Sequence, residues 1–138
     1  MSIAILLICH RQMATYLKDT AVNLSGVQKN FETIGVLPID GIESTMDKIT
    51  LSLTKIDSHI KNILVFVDIF GGTPCNAAAK FFRGKTNITT DIITGVNLPM
   101  ILIAIAIRGN AKNFGEFLGS VKEEAKKNII SLKDLNLL

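Results

Sequence analysis

The hydrophobic period of this chain switches repeatedly between two values, and that alternation restricts its possible folds more than any other feature. Ile3 to Cys9 is a run of seven apolar residues, the pattern of a strand buried on both faces. Ala14, Leu17, Ala21 and Leu24 then recur at three- and four-residue steps, a helix stripe that Gly26 is placed to close. A second strand is expected within Phe31 to Leu37, with Ile34 and Val36 on one face. Ile42, Met46, Ile49, Leu53 and Ile56 return to helical steps. Ile63 to Ile69, apolar and β-branched, predicts a third strand. It runs into Gly71-Gly72-Thr73-Pro74, after which Ala77, Ala78, Phe81 and Phe82 mark a helix ending near Gly84. A fourth strand is expected over Ile88 to Val96. Leu98 to Ile107 is apolar all round, and Pro99 in its first turn with Arg108-Gly109 at its end favours a helix. Phe114, Phe117, Leu118, Val121 and Ala125 give one more amphipathic helix, and Asn128 to Leu132 is a candidate final strand. The pattern predicts one α/β domain over residues 1–138, a doubly wound, mainly parallel sheet with helices on both faces.

Composition excludes several functional classes. Of 138 residues, 48% are apolar and 20% charged, which suits a packed core and not a disordered or fibrous chain. The net charge is +3, and the one short basic cluster, Lys126-Lys127, reads as a solvated helix face. A nucleic-acid reader should carry a dense basic stripe with aromatics for stacking, and this chain has no Trp and one Tyr. Leu98 to Ile107 is too short to span a bilayer, so a transport role would have to act through a membrane partner. Met1 to Cys9 has no cationic head or small-residue cleavage signal. Cys9 and Cys75 show no metal-ligand spacing, and with no secretion signal they point to a reducing, cytoplasmic setting.

The chemistry should sit where strands end. In open parallel sheets, ligands bind at the carboxyl ends of the strands, where the winding direction reverses. His10 follows the first strand directly and Asp68 stands near the end of the third. If those strands are neighbours, about 5 Å apart, the two side chains can meet. A carboxylate accepting from one imidazole nitrogen fixes the tautomer and leaves a lone pair on the other. The nitrogen distal to Asp68, Nε2, would then be the nucleophile. Gly71 and Gly72 allow a tight turn and close approach, Thr73 can cap the next helix, and Pro74 fits its first position. Exposed N–H groups at that helix start form a site for a phosphoryl group. Each feature also has a structural reading: a hydrogen-bonded His, a loop Asp, an ordinary strand-to-helix turn. His59, in the polar loop Asp57 to Asn62, reads as a solvated surface residue. Asn97 with Pro99 is placed to cap a helix beside the site.

Asp68-Ile69-Phe70-Gly71-Gly72-Thr73-Pro74-Cys75-Asn76-Ala77-Ala78 resembles the D-x-(F/W)-G-G-(S/T)-P-x-N-x-A segment of mannose-family enzyme IIA components of sugar phosphotransferase systems. Gly95-Val96-Asn97-Leu98-Pro99-Met100 resembles that family's G-V-N-(L/I)-P-M segment, and Ile3 to His10 its opening strand ending in the phosphorylated histidine. The resemblance covers nearly the whole chain. It implies a histidine phosphocarrier that accepts a phosphoryl group from phospho-HPr on His10 and donates it to a IIB component, the membrane IIC and IID components being reached only indirectly. It also implies a homodimer that exchanges a C-terminal strand, here Asn128 to Leu132. The family usually has Gly after the histidine, where this chain has Arg11. Either Arg11 bears strain at a positive φ or it contacts phosphate or a partner's acidic surface. The family often has an acidic residue after the position of Met100, and Ile101 to Ile107 has none. Three other readings remain open on sequence: the phosphotransfer subunit of a phosphotransferase-dependent dihydroxyacetone kinase, a regulatory module whose phosphorylation a partner reads, and a thiol redox protein using Cys9 or Cys75.

Overall fold

The computed structural model describes residues 1–138. Four strands, β1 (Ile3–His10), β2 (Phe31–Val36), β3 (Asn62–Val67) and β4 (Thr89–Ile93), form one parallel sheet in the order β2-β1-β3-β4. Helices α1 (Met13–Ser25), α2 (Ile42–Leu53), α3 (Thr73–Phe82), α4 (Leu98–Arg108) and α5 (Phe114–Lys127) complete the chain. The chain winds outward from β1 in both directions, so the winding reverses between β1 and β3. The expected doubly wound α/β architecture is thus present.

Strand parity builds two cores. Ile3, Ile5, Leu7 and Cys9 of β1, with Leu64 and Phe66 of β3, face buried residues of α1, α4 and α5. Ala4, Leu6 and Ile8, with Ile63, Val65 and Val67, face Ile49 of α2 and Cys75, Ala78 and Phe82 of α3. Central strands covered on both sides must be apolar at every position, which is why β1 reads as an unbroken run. His10 is the next residue of the α2–α3 parity, and with it the run ends at solvent.

Several boundaries fall short of the sequence expectation. Leu37, Ile69 and Val96 lie outside strands, because the parallel ladder stops where the chain must turn over the sheet edge. Leu24 is exposed although it continues the α1 stripe. Ile56 lies beyond the end of α2 yet is buried against the α2–α3 core. Asn128 to Leu132 forms no strand. Asn128 closes α5 by donating its N–H to the Ala125 carbonyl, Ile129 donates to the Lys126 carbonyl, and Leu137 donates back to Leu132 in a terminal turn. A strand needs a ladder partner, and within one chain nothing pairs with this segment, so its backbone is satisfied by local turns. No helix is long and apolar enough to cross a membrane.

One side chain braces the amino-terminal end of the sheet from several sides. Arg108, the last residue of α4, donates from its guanidinium to the carbonyls of Ile3, Lys29 and Asn30 and to Gln28 Oε1. Burial pushes the Arg108 pKa down, and four acceptors compensate the guanidinium for lost water. Replacing Arg108 with Met keeps the aliphatic packing and removes all four bonds, although the Asn30 carbonyl keeps the Ile5 N–H as a partner. Arg108→Met is expected to lower stability by about 2–3 kcal/mol in chemical denaturation; a loss within error of zero would refute the brace.

Candidate functional site

The register of β1 against β3 brings His10 and Asp68, 58 residues apart in sequence, into direct contact. Asp68 Oδ2 accepts two hydrogen bonds from the same residue, one from the His10 backbone N–H and one from ring Nδ1, each 2.8 Å. Asp68 Oδ1 accepts from the Ile69 N–H at 2.9 Å. Burial raises the Asp68 pKa, but the N–H groups of His10 and Ile69 together with the His10 ring outweigh that effect and hold it below the ordinary carboxylate value. An ionised carboxylate only accepts, so Nδ1 carries the proton and the Nε2 lone pair is free. The Asp68 side chain is 6% exposed and that of His10 45% exposed: the orienting group is buried, and the ring it orients reaches solvent.

The free face of the ring abuts the start of α3. Gly71 has φ +83°, a conformation that glycine adopts without strain. Asn76 fixes this turn, its side-chain amide donating to the Gly71 carbonyl and its N–H to the Gly72 carbonyl, both at 2.9 Å. A Cβ on Gly72 would stand 2.9 Å from His10 Cε1 and 3.5 Å from Nε2, so the absence of a side chain makes room for the imidazole. Gly72 is the N-cap and Thr73 the first helical residue, followed by Pro74; no side chain caps this end. The expectation that Thr73 caps α3 is therefore corrected. Its backbone lies within the helix, and Gly72 in an extended conformation makes the entry. Since the first helical bond runs from Asn76 to Gly72, the Thr73 and Cys75 N–H groups have no helical acceptor.

His10, Arg11 and Thr73 share a cavity of about 340 Å³ with Val36, Leu37, Pro38 and Asp40. Its far wall is the β2–α2 loop, fixed by Asp40, which accepts from the Leu37 N–H (2.7 Å), the Ser44 hydroxyl (2.9 Å) and Lys48 Nζ (2.5 Å). These bonds, the Lys48 one foremost, lower the Asp40 pKa to about 2. Lys48 also donates to the Gly35 carbonyl. Arg11 has φ +51°, the strained alternative that the sequence left open.

The structure thus assembles His10, Asp68, Gly72, Thr73 and Arg11, with Gly71 fixing the turn. Asn97 is not among them. Its side chain accepts from the Met100 N–H at 2.9 Å and caps α4, and it lines a different cavity, along β4 and α5. It is tied to the site only through the backbone, the Gly95 N–H donating to the Asp68 carbonyl. Sequence reasoning had Asn76 only as a position of the family segment, with no role given to it, and missed the Asp40–Lys48 pair, for which no local pattern exists. It also missed Gly35, whose place inside a strand was the available signal.

Cys9 and Cys75 are both buried, one in each core, on opposite sides of the sheet. Burial first, and the nearby Asp68 charge second, raise the Cys9 pKa to about 12, which leaves it a thiol at neutral pH. His59 is exposed in its loop and Lys126 and Lys127 are exposed at the end of α5, as expected.

A family model described as "PTS system fructose IIA component" matches residues 4–122. The mannose-specific EIIAB component of Escherichia coli is 32% identical over 133 residues, covering 96% of this chain and 40% of that protein. The chain therefore spans about two fifths of that relative's length. The sorbose-specific EIIA component of Lacticaseibacillus casei is 29% identical over 123 residues, covering 87% of this chain and 86% of that one. A solved phosphotransferase-system EIIA from Streptococcus agalactiae superposes with a TM-score of 0.87 at 19% identity, covering 96% of this chain and 98% of its own. At that identity the superposition establishes the shared fold.

A Gly72→Ala substitution tests the geometry. The added methyl can be accommodated only if the imidazole swings off the Asp68 carboxylate, which costs about 1 kcal/mol or more. Loss of the Nδ1–Asp68 bond is expected, read as a change in the His10 ring nitrogen resonances in NMR, together with a fall in stability of about 1 kcal/mol. Unchanged ring resonances would mean that the methyl fits without moving the imidazole.

Proposed function

The chain belongs to the mannose-type IIA family of the sugar phosphotransferase system, and on that premise we propose that it carries a phosphoryl group on His10. The observation that carries the reading is the 2.8 Å contact between His10 Nδ1 and Asp68 Oδ2, which presents Nε2 to solvent beside the α3 start.

In the proposed reaction, the Nε2 lone pair attacks the phosphorus of phospho-HPr. The new N–P bond forms as the donor's N–P bond breaks, and the donor histidine keeps the released electron pair. The His10 ring gains positive character, which the adjacent Asp68 carboxylate stabilises while Nδ1 keeps its proton. The phosphoryl oxygens meet the backbone N–H groups around Gly71, Gly72 and Thr73, and positioning with charge stabilisation supplies the catalysis. A second, equivalent transfer passes the group to a IIB component. Each partner protein must reach the same nitrogen, and the exposed ring at the sheet edge supports that use. No nucleotide, metal or organic cofactor enters these steps. The buried, separated cysteines argue against a thiol redox role, and the relatives named above are sugar phosphotransferase components.

Mass spectrometry after incubation with phospho-HPr tests the assignment. Wild type is expected to gain one phosphoryl group, and His10→Ala none. Asp68→Asn keeps the shape and loses the charge, so phosphorylation should slow about 10- to 150-fold, the worth of a charge-assisted hydrogen bond. Label on His10→Ala at the wild-type level would exclude His10.

The family relation also supports a homodimer. Ile129, Ile130, Leu132, Leu135 and Leu137 are exposed beyond α5, and β4 is an edge strand with one side unpaired. We propose that residues 129–138 pack against a second copy of this chain. Analytical ultracentrifugation should find a dimer for wild type and a monomer for the double variant Ile130→Asp, Leu132→Asp; a monomeric wild type would exclude it.

A further inference from the structure

The one strained residue at the rim of the site is Arg11. Its φ of +51° lies in the left-handed region, unfavourable for a long side chain. Strand β2 holds the backbone there from both sides. The Arg11 N–H donates to the Val36 carbonyl at 2.8 Å, and the Arg11 carbonyl lies so close to Gly35 that a Cβ at that position would overlap it. The conformation is therefore imposed by β1–β2 pairing.

The charge of Arg11 is unspent. Its side chain, exposed at the rim, takes part in no hydrogen bond or ion pair, whereas Arg108 is matched to four acceptors. One carboxylate shares the cavity with it, Asp40, and that group is occupied by Lys48, Ser44 and the Leu37 N–H. Asp40 and Lys48 neutralise each other. Asp68 is likewise engaged, on the far side of the ring at Nδ1. On the cavity side, beside Nε2, Arg11 is thus the one charged group without a partner, together with the unpaired N–H of Thr73. A strained residue held beside a nucleophile, with an unpaired fork of donors, is suited to a ligand that arrives as a tetrahedral dianion.

We propose that Arg11 is a charge partner for the phosphoryl group itself, gripping its oxygens as the group forms its bond to His10 Nε2. This rests on the reading of His10 as the phosphorylated residue and adds to it a side chain that stabilises the transferring group. Strain in the resting protein is the cost of placing the guanidinium where the dianion will sit.

The test uses a donor with no protein surface, so that contact with phosphate is separated from contact with a partner. In phosphoramidate, the nitrogen carrying three hydrogens leaves phosphorus as ammonia with the old N–P electron pair, while the imidazole lone pair forms the new N–P bond. Two histidines are exposed, His10 and His59, so His59 serves as an internal reference in peptide mass spectrometry. Arg11→Gln keeps the length and removes the charge, and its His10:His59 labelling ratio is expected to fall about tenfold or more. Arg11→Lys should fall between Arg11→Gln and wild type. Arg11→Gly should lose labelling like Arg11→Gln, yet melt at the wild-type temperature or up to about 5 °C higher, because glycine relieves the strain. A wild-type ratio in Arg11→Gln would overturn the proposal. So would a defect seen with phospho-HPr but not with phosphoramidate, which would make Arg11 a partner contact. Failure of wild-type His10 to be labelled by either donor would instead overturn the assignment of His10.

Discussion

One carboxylate oxygen, Asp68 Oδ2, accepts both the backbone N–H and the ring N–H of His10, and the rest of the site depends on that double contact. A single side-chain bond would fix the tautomer and leave the ring free to pivot. Adding the backbone bond ties the carboxylate to the end of β1, so ring orientation becomes a consequence of the β1–β3 register. That register is set by alternating apolar residues that a one-residue slip would turn to the wrong core. The chemistry of Nε2 is thus fixed by packing well below the surface.

The two ends of the sheet do different work. At the amino end, Arg108 is folded into backbone carbonyls and its charge is consumed by structure. At the carboxyl end, the loops after β1, β2 and β3 meet around a partly exposed imidazole. The β2–α2 loop is stiffened by Asp40 and Lys48, and the β3–α3 turn by Asn76. Rigid walls around an accessible ring suit the proposed role, in which one macromolecule and then another would reach the ring, since neither encounter would have to wait for a loop to order.

What the sequence made legible follows from what a buried parallel sheet demands. The strands were visible because full burial leaves no polar position in β1 before His10 and only Asn62 in β3. The pairing of His10 with Asp68 was visible because strand ends at a reversal of winding are adjacent by topology. Thr73 was misread because the residue type favours capping, while the close approach of His10 draws Gly72 into that place. The strand expected at Asn128 to Leu132 failed for a different reason: apolar composition signals a need for cover but cannot supply a ladder partner. The bonds of Asn76, a residue seen only as part of a motif, and of the Asp40–Lys48 pair could not be read because they form only after the loops are folded.

The comparison between neighbouring residues shows how far environment outweighs residue type. Cys9 and His10 are adjacent, and in free solution the thiolate would be the stronger nucleophile. Strand parity turns Cys9 into the core, where burial and the Asp68 charge raise its pKa to about 12 and keep it protonated. The same parity turns His10 outward, where the same carboxylate sets its tautomer. Burial therefore disables one potential nucleophile, with the Asp68 charge adding to its effect, and Asp68 orients the other. Parity and one carboxylate just past β3 together leave the imidazole as the accessible nucleophile at this edge.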